Sequence, residues 1–360
     1  LISFELTEEQ KLAQSMAREL ASSTLRPAAR HGDDREAMPG PILDAIRATG
    51  IIQSQAEDSG ENSSPVLNAL MLEELAAGDA AFAVALGGPL GFVGAIAAQG
   101  SPAQKKNLLA HFTRDEYQCA GIAVMEPDFG FDVAALRTTA VKTRGGYQLS
   151  GIKGPVLLAN RCSHFLVVAR CDSALDAFVV ERGAPGVTVA ACRPTIGLRA
   201  AEPAAVSFKD VELSAGARLG EAAGCDVQRI IDSGRTALAA IMTGSARAVM
   251  EFVIPYLKQR VVHGAPLAQK QVIAFRLADM RIETDAMRWM TWKAASILEK
   301  RGDAIRQAQL AHTYAAEQAM WIADEGVQML GGHGYLRDNP VEMWYRDVRT
   351  ISALEGAVGV

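Results

Sequence analysis

The apolar period of this chain changes twice, and those two changes constrain its fold more than any other feature. Up to about Tyr117 apolar residues recur at helical spacing. From there to about Leu219 short apolar runs alternate with turn residues. From Asp226 the helical period returns and holds to the end. Helices, then strands, then helices give an α+β chain. We expect an N-terminal helical domain (1–117), a middle antiparallel β-domain (118–222) and a C-terminal helical bundle (223–360).

Local signals support this order. Thr7-Glu-Glu-Gln10 has the form of a capping box. Leu12, Met16 and Leu20 form an apolar stripe, with Ala13 and Ala17 beside them. Ile42–Ala48 and Leu67–Leu75 are further helical patterns, with Glu73-Glu74 on a polar side. Val84–Ala98, rich in alanine, glycine and aliphatics, predicts a buried helix. In the middle third, Arg144-Gly145-Gly146 separates two strand-like runs as a hairpin turn, and the spacing of the runs suggests a small barrel or sandwich. In the last third, Trp289 and Trp292 read as core residues.

Composition excludes several functions. The chain has 360 residues, is 49% hydrophobic and carries a net charge of -5, which argues against nucleic acid as a partner. The five cysteines form no CxxC pair and are expected to be buried thiols of a reducing compartment, not a disulfide framework. No histidine has metal-ligand spacing, so no metal is expected. No run of about 18 apolar residues and no signal peptide are visible, so neither a membrane span nor export is expected.

The C-terminal stretch carries the functional signal. Gln328-Met-Leu-Gly331-Gly332-His333-Gly334-Tyr335 leads to Tyr345-Arg346-Asp347-Val348-Arg349 and then to Leu354-Glu355-Gly356. A carboxylate at a helix break can project into a pocket, and the following glycine lets a ligand approach the backbone. Together with Leu72-Glu73-Glu74-Leu75-Ala76, Glu126-Pro127, Gly130, Asp132, Leu149–Lys153, Ile196-Gly197-Leu198-Arg199, Phe208–Val211, Tyr256, Arg260 and Gln271–Met280, this stretch resembles the acyl-CoA dehydrogenase family over essentially the whole chain.

The resemblance implies FAD-dependent α,β-dehydrogenation of an acyl-CoA thioester, with electrons passed to an electron-transfer flavoprotein. It implies a cytoplasmic dimer or tetramer, as a homo- or hetero-oligomer. Glu355 matches the catalytic base, and Asp232, Arg235 and Gly356 lie toward the acyl-CoA. Some relatives place their acid just before that arginine, where this chain has Gly234. Arg260, His263, Gln328, Gly331 and Gly332 match positions facing FAD, the last three across a subunit interface from Arg260.

The chain departs from the family around the flavin. Met125, Phe131, Leu157, Val262 and Ala357 stand where the family has hydroxyls, and Pro155 and His263 replace aromatic residues. Each lost bond is worth about 0.5–1.5 kcal/mol. Two alternatives to the enzyme reading follow. One is a subunit with a degenerate flavin site that lends Arg260 and Gln328 to FAD bound by a partner chain. The other is an acyl-CoA pocket kept for binding or non-redox chemistry.

Overall fold

The computed structural model of the protein describes residues 5–360, the side chain of residue 58 excepted. The first block comprises α1 (Glu8–Leu20), α2 (Arg26–Arg35), α3 (Gly40–Arg47), α4 (Ile51–Ala56), α5 (Pro65–Gly78), α6 (Ala80–Gln99) and the single turn α7 (Pro102–Gln104). The capping box forms: Gln10 N donates to Thr7 Oγ1 at 3.2 Å, and Thr7 N to Gln10 Oε1 at 3.0 Å. The apolar stripe of α1 faces inward only in part: Leu20, with Ala13 and Ala17, packs on the core. Leu12 and Met16 are 64% and 52% exposed, whereas Ala17 is buried. The small side chains of this helix face the core, and Gln14 and Arg18 reach over to Glu74 of α5.

Glu73 and Glu74 are likewise not on a polar face, because both are buried. Helix α5 is surrounded, so its carboxylates are paired instead of solvated. Glu74 accepts from Arg18 and Arg247, and Glu73 from Arg288 at 2.8 Å. These pairs tie the first block to the last. Helix α6 is the buried helix expected from its composition. It and the later helix Val227–Gln259 are long and apolar enough to cross a membrane by composition, contrary to the sequence expectation. Yet most of each lies inside the protein.

The middle block contains β1 (Ala120–Ala123), β2 (Thr139–Lys142), β3 (Gly146–Val156), β4 (His164–Cys171), β5 (Ala174–Glu181), β6 (Val187–Val189) and β7 (Ala204–Ser214). They form one sheet in the order β1-β4-β2-β3-β7-β6, with β5 on β4. Most pairings are antiparallel, but β1 and β2 both join β4 in parallel. The Arg144–Gly146 turn closes the β2–β3 hairpin. Gly146 is required there, since with φ +154° a Cβ would lie 2.0 Å from the Leu213 carbonyl.

The last block has α8 (Val227–Gln259), a two-residue hairpin β8–β9 (Val261–Val262 with Ala265–Pro266), α9 (Gln271–Glu299), α10 (Ile305–Leu330) and α11 (Val341–Ile351). Helix α8 packs on α5, α6, α9 and α10. Trp289 is not in the core. It is 47% exposed on an outer face of α9 that also carries Val272, Phe275 and Ile282. Their three- and seven-residue spacing puts all four on one side of the helix.

Candidate active site

Glu355 follows the end of α11, where Leu354 N closes a last turn on Ile351 O at 2.9 Å. Gly356 then takes φ +57°, and a Cβ there would lie 2.6 Å from Val124. The chain can turn inward at this point only without a side chain. Ala357, Val358 and Val360 are buried. Gly359 N donates to Gly87 O of α6 at 2.9 Å, and Ser233 Oγ of α8 bonds the Val360 backbone at 3.0 Å. The segment therefore lies between α6 and α8.

Three predicted residues meet directly. Arg235 grips the Glu355 carboxylate with both edges of its fork: Nε to Oε1 at 2.9 Å and Nη2 to Oε2 at 3.1 Å. The backbone N–H of Glu355 donates to the Met125 thioether at 3.1 Å. Met125, expected beside a flavin, thus also holds the candidate base in place. Arg235 does not pair with Asp232. That residue is buried and accepts from Gln228 at 2.8 Å, and burial pushes its carboxyl above the usual range. Asp232 lines a cavity of about 290 Å3 together with Arg229, Arg301 and Asp303. A second cavity of about 320 Å3, bordered by Gly91, Gly94, Ile230, Ser233 and Val360, continues from the buried C-terminal segment.

Gly234 has a structural reason to lack a side chain. A Cβ would sit 2.8 Å from the Gly356 Cα. The backbone beside Glu355 fills the space that an acid at position 234 would need.

The loop after β1 is clamped from below. Glu126 accepts from the backbone of Arg137 and Thr138, both at 2.8 Å. Lys153 of β3, fully buried, donates to Val124 O at 2.8 Å and to Glu126 Oε1 at 3.0 Å. Burial pushes the Lys153 ammonium down to about 8, although Glu126 opposes this. Sequence reasoning recorded Lys153 and Glu126 as motif letters and missed this pair. It also missed Gln309 and His312 of α10. A polar pair one turn apart on the alanine-rich half of that helix was the available signal.

The other motif residues form two groups. Arg346 and Asp347 hold domains together. Arg346 pairs with Asp33 at 2.8 Å, and Asp347 accepts from Leu198 N at 2.6 Å. Arg260, His263, Gln328, Gly331 and Gly332 are exposed. They lie at the ends of α8 and α10, joined where Tyr256 Oη meets His333 Nδ1 at 3.4 Å. No hydrogen bond or ion pair among the described residues links these five to Glu355 or Met125.

The residues present fit the FAD that the resemblance implies in two different ways. At the helix ends an exposed cation, an amide and bare backbone at Gly331 and Gly332, with open space where a Cβ would stand, suit a pyrophosphate. Met125 and Phe131, both half-buried, and buried Leu157 are apolar where the resemblance places the flavin ring, and apolar side chains suit a ring face. No group of three His, Cys, Asp or Glu among the described residues could hold a metal.

Models of the N-terminal, middle and C-terminal domains of acyl-CoA dehydrogenases match residues 7–116, 121–211 and 226–360. The mitochondrial short-chain specific acyl-CoA dehydrogenase of Bos taurus is 30% identical over 98% of this chain and 88% of its own. The cyclohex-1-ene-1-carbonyl-CoA dehydrogenase of Geobacter metallireducens is also 30% identical, over 98% of this chain and 95% of its own. The butyryl-CoA dehydrogenase structure from Megasphaera elsdenii superposes with a TM-score of 0.89 at 28% identity, covering 97% of this chain and 95% of that one. With its helix–sheet–helix order, its Glu355 at a helix end and matches along its whole length, the chain belongs to the acyl-CoA dehydrogenase family of oxidoreductases.

Proposed function

We propose that this protein binds FAD and dehydrogenates an acyl-CoA thioester between its α and β carbons, with Glu355 as the base. The observation that carries this reading is the Glu355 carboxylate, set at a helix end by Arg235 and Met125. Bound FAD would supply the acceptor for the hydride leaving the β carbon. Glu355 takes the α proton onto its carboxylate, and must first give up at least one bond to Arg235. Gly356 lets the backbone turn past Val124 directly after the base. Arg260, Gln328 and the Gly331–Gly332 backbone would hold the pyrophosphate, and Met125, Phe131 and Leu157 the ring. The electrons would pass to an electron-transfer flavoprotein. Copies of the chain, or a related partner, would meet through the outer face of the C-terminal bundle.

The test is spectroscopic. Protein supplied with FAD should show the visible flavin band and bleach with an acyl-CoA. Glu355→Gln keeps the size and hydrogen bonding of the side chain but cannot accept the proton. It should retain flavin and acyl-CoA binding and lose bleaching rate by about 10²–10⁴-fold. Unchanged bleaching would mean another base. A protein that stays colourless alone, but gains a flavin band with a related chain, would favour the partner-subunit reading. Arg260 and Gln328 are exposed, while Met125, Phe131 and Leu157 bring no side-chain hydroxyl to a flavin ring, and these two facts give that reading its support.

A further inference from the structure

Two α10 side chains face the Arg235–Glu355 pair. Gln309 Oε1 accepts from Arg235 Nη1 at 3.2 Å, on the edge of the guanidinium away from Glu355. His312 lies one turn further on, close enough to Glu355 and Arg235 to feel both charges and to the Leu354 backbone to bond it. Its Nε2 is buried without a hydrogen-bond partner. Residues three apart on a helix share a face, so α10 presents both to the same place.

The chemistry of the pair gives each a task. A guanidinium has five donors in a rigid plane. While Nε and Nη2 hold the carboxylate, Gln309 holds Nη1, so the fork cannot follow Glu355 when it turns toward a substrate. Since Nε2 is bare, the other ring nitrogen of His312 is left to face Leu354, the residue before the base. Burial keeps this imidazole below its usual pKa, so it stays neutral. With a proton on the nitrogen toward Leu354, Nε2 is an acceptor. A Glu355 carboxylate offers it nothing. A protonated Glu355, which exists only after the α proton has been taken, can donate to it.

We propose that Gln309 and His312 are positioning residues for Glu355: Gln309 pins the Arg235 fork, and His312 steadies Leu354 and accepts a hydrogen bond from Glu355 once it carries the substrate proton. This rests on the reading of Glu355 as base.

The experiment uses FAD-loaded protein and butyryl-CoA, unlabelled and deuterated at the α carbon. Flavin reduction is followed by rapid mixing. His312→Phe should lower the saturating rate per flavin about tenfold and raise the α-deuterium isotope effect, with half-saturation within about twofold. His312→Gln, which returns a polar atom near the Nε2 position, should recover most of the rate. Gln309→Met should slow reduction severalfold by the same signature. A merely structural role would lower flavin content or melting temperature and leave the rate per flavin and the isotope effect unchanged. That result in the Gln309 and His312 variants overturns the proposal. Glu355→Gln, run beside them, separates the two failures. If it still bleaches, the base reading falls. If it is inactive while Gln309→Met and His312→Phe reduce at the parent rate, only the positioning roles fall.

Discussion

Lys153→Met tests the clamp beneath the loop that holds the base, and its effect should grow with pH. The Lys153 ammonium is fully buried, with two acceptors, Val124 O and Glu126. Unfolded, it keeps its proton to about 10.5; folded, it gives it up near 8. Between these values the unfolded chain binds more protons, so this group adds stability as pH rises. The gap is worth about 3 kcal/mol, of which about 2–3 kcal/mol is gained between pH 7.5 and 10. At pH 7.5 the substitution leaves Glu126 buried without its cation. Breaking such a pair costs about 3–5 kcal/mol. Removing the desolvated charge returns about 3 kcal/mol. The loss equals or exceeds the gain, and the variant should be about 0–2 kcal/mol less stable. At pH 10 the parent has gained its increment and the variant has not, so the deficit should reach about 2–5 kcal/mol. Urea unfolding of both proteins at the two pH values measures it, and the difference cancels other titrating groups. A deficit that stays constant or shrinks with pH would refute the buried-ammonium account.

Two further outcomes follow from the site. Restoring hydroxyls with Met125→Thr, Phe131→Ser and Leu157→Thr should raise FAD affinity if the ring side is short of hydrogen bonds. It should lower affinity through small voids if apolar contact already holds the ring, and FAD titration of parent and triple variant decides between them. Gly234→Ala should cost about 1–3 kcal/mol in thermal or urea unfolding, because its Cβ would meet the Gly356 Cα at 2.8 Å; full parental stability would show that the two backbones are not packed as described.

What the sequence made legible was period and punctuation. The switch of apolar spacing near Tyr117 and its return near Asp226 mark the change from helices to strands and back. The capping box at Thr7 and the hairpin turn at Gly146 are local, and local chemistry suffices to read them. What stayed hidden was pairing across long separations. Glu73 and Glu74 resembled a solvated face because nothing nearby in sequence reveals Arg247 and Arg288. Arg235 had an acid one turn away in Asp232 and yet pairs with Glu355, 120 residues on. Trp289 was expected in the core because composition says nothing about which side of α9 is covered.

Gly234 shows how the same residue reads differently at the two levels. In the sequence it marks only a missing acid beside Arg235. In the structure it is the floor on which Gly356 rests. With the backbone of Gly356 there, a side chain at 234 has no room. With Glu355 turned inward by that backbone, Arg235 has its carboxylate. Met125 then accepts the N–H of the same residue. A base at 234 would need the segment after Leu354 to leave α8, which would undo the Ser233 bonds and the packing of Val358 on Gly87. The two glycines and the acid are one arrangement, so shifting the acid to position 234 by substitution alone should not shift the base with it.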